Sequence, residues 1–176
     1  MSQMEIRLGG SGGQGLILAG IILAEAAILE GKNAVQSQSY GPEARGGASK
    51  AEVIISDDGI DFPKVHQADV LLVLSQEAHD KYAGGLKDQG ILIADQQVEV
   101  KETAAYQVHQ LPITETASKK VGRTMVANII ALAVIQSLTQ VVSRESLEQA
   151  VLSRVPKGTE ELNQKALLEG YALATE

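Results

Sequence analysis

Near the N-terminus, residues 4–31 read MEIRLGGSGGQGLILAGIILAEAAILEG. Met4–Leu8 predicts a short strand, the glycines after it predict a tight loop, and the aliphatic run from Gly15 to Leu29 predicts a helix that ends at Gly31. A strand, a glycine loop and a helix in this order begin many nucleotide-binding α/β domains. The chain is therefore predicted to have a Rossmann-like start.

The rest of the chain continues this alternation and then becomes helical. Six strands are predicted, at 4–8, 33–38, 50–55, 70–74, 91–94 and 106–111. The later helices are predicted at 76–82, 124–138, 144–155 and 159–174. The second and third strands have no helix between them, and a parallel crossover needs about a dozen residues and usually a helix, so this pair is predicted to be antiparallel.

These elements predict one α/β domain over residues 1–176. It should have three layers, a mixed but mostly parallel sheet of about six strands, and a helical C-terminal third. The helix around Ile129–Ile135 is apolar nearly all round. It is therefore expected to be buried, either in the core of this domain or against a partner subunit.

Composition excludes several classes of function. The 176 residues are 44% apolar and 21% charged, as in an ordinary globular domain, and they include no cysteine. Disulfides, thiolate catalysis and iron–sulfur clusters ligated by this chain's own thiolates are excluded. The net charge of -7 disfavours binding to nucleic acid or to an anionic membrane. The longest early apolar run is interrupted by Glu25 and too short to span a bilayer, so a cytoplasmic protein is expected.

The glycine loop is the first candidate site. Residues 10–15 satisfy the pattern G-x-G-x-x-G between a predicted strand and a predicted helix. Glycines allow backbone N–H groups to approach a phosphate, and the positive end of the following helix adds to the attraction. The predicted contacts are Gly10, Ser11, Gly12, Gly13, Gln14 and Gly15. In the alternative interpretation, the glycines only permit a tight turn.

A nicotinamide dinucleotide site needs more than these glycines. It requires an Asp or Glu about 20 residues further on, which holds the ribose hydroxyls. Val35–Ser39, at the end of the second predicted strand, contains neither. The dinucleotide fingerprint is therefore incomplete.

The second candidate site is the loop SYGPEARGG, residues 39–47, which contains Arg45. Arginine offers a planar fork of donors that suits a phosphate or a carboxylate. A single arginine in a surface loop is about as often a solvated charge. The residues alone leave both interpretations open.

Taken together, the motifs resemble the gamma subunit of the 2-oxoacid:ferredoxin (acceptor) oxidoreductases. The resemblance runs in order through nearly the whole chain. It is carried by residues 10–15, 39–47, 51–56, 60–65, 68–69, 75–78, 126–128 and 162–166. An ordered set of segments is far more specific than one glycine motif.

This resemblance implies a function and a set of partners. The family oxidatively decarboxylates a 2-oxoacid with thiamine diphosphate, passes electrons through iron–sulfur clusters to ferredoxin, and forms an acyl-coenzyme A. Those cofactors belong to partner subunits: alpha, beta and, in some systems, a ferredoxin-like delta subunit. The gamma subunit is then expected to supply no catalytic residue and to bind coenzyme A, with the glycine loop at the phosphates.

The resemblance also implies further site residues. Arg45, and Asn128 with Arg123 beside it, become candidates to contact the same ligand. The three histidines are far apart and lack metal-ligand spacing, so no metal site is predicted. Among 2-oxoglutarate, pyruvate and branched-chain oxoacids, the first is favoured as substrate. The alternatives are the small subunit of indolepyruvate oxidoreductase and a stand-alone nucleotide-binding regulatory domain.

The absence of cysteine leads to a test of the isolated chain. We expect the purified chain to be colourless and unable to oxidise any 2-oxoacid, because it lacks thiolates for clusters and an evident flavin or thiamine site. A visible absorbance spectrum and a ferredoxin-reduction assay, with and without the alpha and beta subunits, check this. Turnover of a 2-oxoacid by the chain alone contradicts the assignment.

Overall fold

A computed structural model describes residues 3–39 and 48–176 of the chain. Within these ranges, six strands form one sheet. They are β1 (Gln3–Ser11), β2 (Asn33–Ser39), β3 (Ala48–Ser56), β4 (Ala68–Val73), β5 (Leu86–Asp95) and β6 (Gln107–Leu111). Their order across the sheet is β2-β3-β1-β4-β5-β6.

The helices of the described ranges include all those predicted from the sequence. They are α1 (Leu16–Leu29), α2 (Gln76–Tyr82), α3 (Ile113–Thr116), α4 (Ala127–Thr139), α5 (Arg144–Arg154) and α6 (Glu160–Ala174). The sequence did not predict α3 or the π turn after it, because four residues are too few to show a helical period. Asp95 anchors α3 by accepting hydrogen bonds from the backbone N–H and the hydroxyl of Thr114, at 2.8 and 3.0 Å.

The sheet is mixed and mostly parallel, as predicted. β3 is antiparallel to both of its neighbours, whereas β1, β4, β5 and β6 pair in parallel. The antiparallel pairing of β2 with β3 is also confirmed. The sequence did not show that β3 lies between β2 and β1. Because neighbouring strands are about 4.8 Å apart, this position separates β2 from β1 by about 10 Å.

β1 is longer than predicted, and it includes the first part of the glycine motif. Its pairing with β3 runs from Gln3 opposite Ser56 to Ser11 opposite Ala48. The prediction that the loop begins directly after Leu8 is therefore wrong, because β3 supplies backbone partners for the next residues. Gly9 also allows close packing, since a Cβ there would lie 2.9 Å from the Tyr82 ring.

One face of the sheet carries most of the helical layer. The core on this face includes side chains from β1, α1, α4, α5 and α6. Every residue from Val126 to Gln136 is buried, so α4 is enclosed by this chain's own core. The apolar helix predicted around Ile129–Ile135 therefore packs in the core of this domain. Within the described residues, no helix is long and apolar enough to cross a membrane.

The opposite face is covered by α2 and contains a buried ion pair. Arg7 and Glu52 lie opposite each other on β1 and β3, with Arg7 Nε 2.7 Å from Glu52 Oε2. Arg7 also donates from Nη2 to the carbonyl of Val65 at 2.9 Å. Both side chains are about nine-tenths buried. Removal of either partner would leave an uncompensated buried charge, which is strongly destabilising.

The C-terminal helices pack closely because of Gly170 in α6. A Cβ at Gly170 would lie 2.6 Å from the Cβ of Ala133 in α4. At the next residue of α6, the guanidinium of Arg144 lies 4.1 Å from the centroid of the Tyr171 ring. Burial of this phenol, only partly offset by the charge of Arg144, raises the pKa of Tyr171 to about 12. The phenol therefore stays protonated at neutral pH.

We expect Gly170→Ala to lower the free energy of unfolding by about 1–3 kcal/mol, because the added methyl overpacks the contact between α4 and α6. The sign is diagnostic, since Gly→Ala inside a helix ordinarily stabilises by about 0.5–1 kcal/mol. The matched control is Gly84→Ala, whose Cβ would meet nothing within 4 Å. Thermal unfolding should show a lower midpoint only for the first variant, and an unchanged or higher midpoint for Gly170→Ala contradicts the packing.

A candidate phosphate site at the glycine loop

The glycine loop lies at the carboxyl end of β1, where the chain turns into α1. The parallel neighbour β4 ends beside it, and the N–H of Leu74 donates to the carbonyl of Gly9 at 3.0 Å. Connections from β1 and β4 lead to opposite sides of the sheet. Such a switch point at the carboxyl ends of strands is where open α/β sheets bind their ligands.

The backbone of this loop requires glycine at two positions. Gly13 and Gly15 have φ angles of 86° and 74°, in the left-handed region. At Gly12 and Gly13 an added Cβ would meet no atom of the described residues within 4 Å, and both residues are exposed. The outer side of the loop is therefore open to a ligand.

Backbone donors are available in this loop. The N–H groups of Gly12, Gly13 and Gly15 make no hydrogen bond within residues 3–39 and 48–176. The first turn of α1 contains no acidic residue that would offset the positive end of its dipole. Free N–H groups at an uncompensated helix N-terminus form a site for an anion such as phosphate.

Gln14 holds the loop in this shape. Its Oε1 accepts a hydrogen bond from the N–H of Ser11 at 2.7 Å, and its Nε2 donates to the carbonyl of Leu74 at 3.5 Å. Gly10 is part of the same arrangement, because a Cβ there would collide with the Gln14 carboxamide. The N–H of Ser11 is thus occupied, and its exposed side chain is the group left to face a ligand. Sequence reasoning missed this clamp, since nothing in the pattern shows where Gln14 folds.

Asn128 joins the start of α4 to the same loop. Its Nδ2 donates to the carbonyl of Gly15 at 3.1 Å, and its Oδ1 accepts from the N–H of Ile129 at 2.9 Å. A Cβ at Gly15 would lie 2.6 Å from Asn128 Nδ2. The structure therefore brings Asn128 to the glycine loop, and it shows both side-chain groups bound within the protein.

The second predicted loop carries the remaining candidate. Arg45 lies outside the described residues. The described residues on either side of this loop show where it starts and ends. Ser39 lies opposite Lys50, and Ala48 lies opposite Ser11. The chain thus leaves β2 and enters β3 at the edge of the sheet that holds the glycine loop.

Two described cations lie at this end of the molecule. Lys50 Nζ is 3.9 Å from Glu52 Oε1, so this ammonium group is already engaged. Arg123, just before α4, is exposed, and its side chain makes no hydrogen bond or ion pair with any other described residue. Within the described ranges, no three acidic or histidine side chains are grouped as a metal site would require.

The order of the strands argues against a nicotinamide dinucleotide at the glycine loop. In a Rossmann fold the second strand lies next to the first, and an acid at its end reaches the ribose. Here β3 occupies that place, and β2 is displaced by one strand. The glycine loop therefore lacks the neighbour that a nicotinamide dinucleotide requires.

The loop conformation gives a direct stability test. We expect Gly15→Ala to cost about 1–3 kcal/mol of folding free energy, from left-handed strain and from collision with Asn128. The control Gly12→Ala, at an open position without a positive φ, should change stability by less than about 0.5 kcal/mol. Chemical denaturation of both variants measures the difference. Equal stability of the two variants contradicts the geometry of this loop.

Comparison with known proteins places the chain in a family. The sequence profile described as pyruvate ferredoxin/flavodoxin oxidoreductase matches residues 5–173. The 2-oxoglutarate synthase subunit KorC of Methanocaldococcus jannaschii is 51% identical over 180 residues, which cover 98% of this chain and 94% of that protein.

Solved structures agree with this placement. The crystal structure of a keto/oxoacid ferredoxin oxidoreductase gamma subunit from Geobacter sulfurreducens is 54% identical, with a TM-score of 0.88 and 98% of each chain covered. A 2-oxoglutarate:ferredoxin oxidoreductase from Magnetococcus marinus, solved with 2-oxoglutarate, coenzyme A and succinyl-CoA, shares the fold at 22% identity and a TM-score of 0.89. The match covers 99% of this chain and 31% of that one. The chain thus belongs to the pyruvate ferredoxin/flavodoxin oxidoreductase family, as a gamma subunit of a 2-oxoacid:ferredoxin oxidoreductase complex.

Proposed function

We propose that this gamma subunit holds coenzyme A for an enzyme that oxidises 2-oxoglutarate. The observation that carries the proposal is the set of N–H groups at Gly12, Gly13 and Gly15 that have no hydrogen-bond partner among residues 3–39 and 48–176. They lie at the start of a helix whose first turn contains no acidic residue. Coenzyme A is the phosphate-bearing reactant of this family.

The substrate assignment rests on similarity along the whole chain. A relative that is 51% identical over 98% of this chain is a 2-oxoglutarate synthase subunit. The Magnetococcus marinus enzyme, which shares the fold, was solved with coenzyme A and succinyl-CoA. Both support 2-oxoglutarate as the oxoacid and succinyl-CoA as the product.

The proposed reaction divides the chemistry among the subunits. 2-Oxoglutarate and coenzyme A give succinyl-CoA, carbon dioxide and one proton, and two electrons pass to ferredoxin. Thiamine diphosphate and iron–sulfur clusters supply the decarboxylation and the electron transfer on the alpha and beta subunits, with a delta subunit where one exists. This chain has no cysteine with which to ligate a cluster. Its task is to bind coenzyme A and orient it.

Orientation follows from how the loop is built. Gln14 and Asn128 fix the loop by hydrogen bonds to the N–H of Ser11 and the carbonyl of Gly15, so the backbone of Gly12 and Gly13 is held in place before any ligand arrives. A preorganised site loses little conformational entropy on binding. We propose that Arg45 adds a bidentate contact to a second phosphate, since Ala48, at the described C-terminal end of its loop, lies opposite Ser11.

We expect Arg45→Ala to raise the Michaelis constant for coenzyme A roughly ten- to a hundredfold in the assembled enzyme, because one charge-assisted interaction is lost. Gly13→Val should do at least as much harm, because its side chain blocks the approach to the backbone and a β-branched residue is strained at a φ of 86°. The Michaelis constant for 2-oxoglutarate should stay near the wild-type value in both variants.

The matched control is Lys64→Ala, which removes an exposed cation from the segment after β3, at the opposite edge of the sheet. It should leave both Michaelis constants unchanged. An Arg45→Ala enzyme with an unchanged constant for coenzyme A removes that residue from the site. If Gly13→Val is also without effect and the variant enzyme keeps its stability, the phosphate assignment itself is wrong.

A further inference from the structure

The surface at the amino end of β1 carries an aromatic pair that the coenzyme site does not use. Phe62 lies between β3 and β4 and is the only phenylalanine of the chain. It is 53% exposed, and its ring stacks on the ring of His66, with the centroids 4.9 Å apart and the planes at 13°. Aromatic side chains are enriched at the centres of protein–protein interfaces, so this pair is a candidate anchor for a partner.

The segment that presents this pair is fixed on its inner side. Val65 is 7% exposed and belongs to the core on the face that α2 covers. Arg7, itself held by Glu52, donates to the carbonyl of Val65 at 2.9 Å. The Phe62 ring therefore projects from an anchored segment, which loses little conformational entropy when a partner covers it.

The sequence around Phe62 combines apolar and acidic residues. Residues 57–67 read DDGIDFPKVHQ, with three aspartates against one lysine. Pro63 and Asp61, on either side of Phe62, are both exposed, and Ile60 is half-buried. An apolar centre with a charged rim is the usual anatomy of an interface. The surface that complements it has an apolar pocket bordered by lysine or arginine side chains.

The pair lies at the end of the sheet opposite the glycine loop. β3 ends at Ser56, which lies opposite Gln3, and β4 runs parallel to β1 from the same end. The nine residues of β1 separate this end from the glycine loop by about 27 Å. A contact made by Phe62 is therefore independent of the coenzyme site.

Both ends of the described chain lie on this side of the sheet as well. Gln3 begins β1 here. Near the end of α6, Tyr171 packs against Arg144 at the start of α5. The preceding residue, Ser143, donates its N–H to Glu30, which directly follows α1. Because α1 runs from the glycine loop to the opposite end of the sheet, where β2 begins, α6 also ends on that side.

A longer relative shows what can lie beside these ends. The Magnetococcus marinus enzyme shares the fold, and the matched region makes up only 31% of its chain. The rest of that chain has to leave the matched region at one end or the other, so it is tethered on the side where Phe62 lies. A second copy of this chain suits the surface less well, because a symmetric contact would bring two acidic segments together.

We propose that the Phe62–His66 pair anchors a partner subunit of the oxidoreductase complex, which receives the Phe62 ring in an apolar pocket with a basic rim. In a complex of separate chains, this subunit takes the place of the tethered part of the longer relative. The gamma chain then has two separate working surfaces, the glycine loop for the ligand and the opposite end of the sheet for assembly.

The test is binding of the full chain to a subcomplex of the alpha and beta subunits. Biolayer interferometry measures the dissociation constant and the association rate for the wild type, Phe62→Ala, Asp61→Lys and two controls. Leu168→Ala removes an apolar side chain of similar exposure, 68%, from α6. Glu161→Lys reverses an exposed charge on the same helix. Thermal unfolding of each variant checks that the fold is kept.

We expect Phe62→Ala to weaken binding about ten- to a hundredfold, as truncation of a central aromatic anchor does. Asp61→Lys should slow association at low salt, because a basic rim repels the added charge. Neither control should change the dissociation constant. In the fully assembled Phe62→Ala enzyme, the Michaelis constant for coenzyme A should equal that of the wild type.

Three results would overturn the proposal. The first is wild-type affinity of Phe62→Ala, or an equal loss of affinity in Leu168→Ala. The second is unchanged or faster association of Asp61→Lys, which contradicts a basic rim on the partner. The third is loss of self-association in Phe62→Ala with unchanged binding to the other subunits, which assigns the surface to a second copy of this chain.

Discussion

The antiparallel pairing of β3 with β1 sets the geometry on which the site depends. It extends from Gln3 opposite Ser56 to Ser11 opposite Ala48, and it carries β1 beyond Leu8 into the glycine motif. The same pairing places the start of β3 beside the glycine loop. It also moves β2 away from β1 and takes the place of the strand that would complete a dinucleotide site. The position of β3 thus removes the neighbouring strand that a dinucleotide site needs, and it leaves a glycine loop that can bind a phosphate without that strand.

A second constraint holds the loop in place. Gly15 turns the chain into α1 with a positive φ, and Asn128 bonds its carbonyl from 113 residues further along the chain. This contact connects α4, which is buried in the core, to an exposed loop that would otherwise have few contacts. Gln14 completes the arrangement from inside the loop. The loop is therefore preorganised by the fold.

The sequence was informative where signals are local. Long aliphatic runs predicted the strands and helices, and the lack of a helix between residues 39 and 48 predicted an antiparallel pair. The position of β3 in the sheet was not readable, since it depends on contacts between distant segments. For the same reason, the glycine motif predicted Gln14 at the site and the family resemblance implied Asn128, but neither indicated that their amides hold the loop.

The central claim is that backbone N–H groups of the glycine loop bind the phosphates of coenzyme A. Hydrogen–deuterium exchange on the assembled enzyme tests it most directly, because it reports on those N–H groups themselves. The account predicts that saturating coenzyme A slows exchange at Gly12, Gly13 and Gly15, whose N–H groups have no partner in the described structure, and that NADH does not. Unchanged exchange at these glycines, with protection by coenzyme A confined to peptides of the alpha and beta subunits, would contradict it.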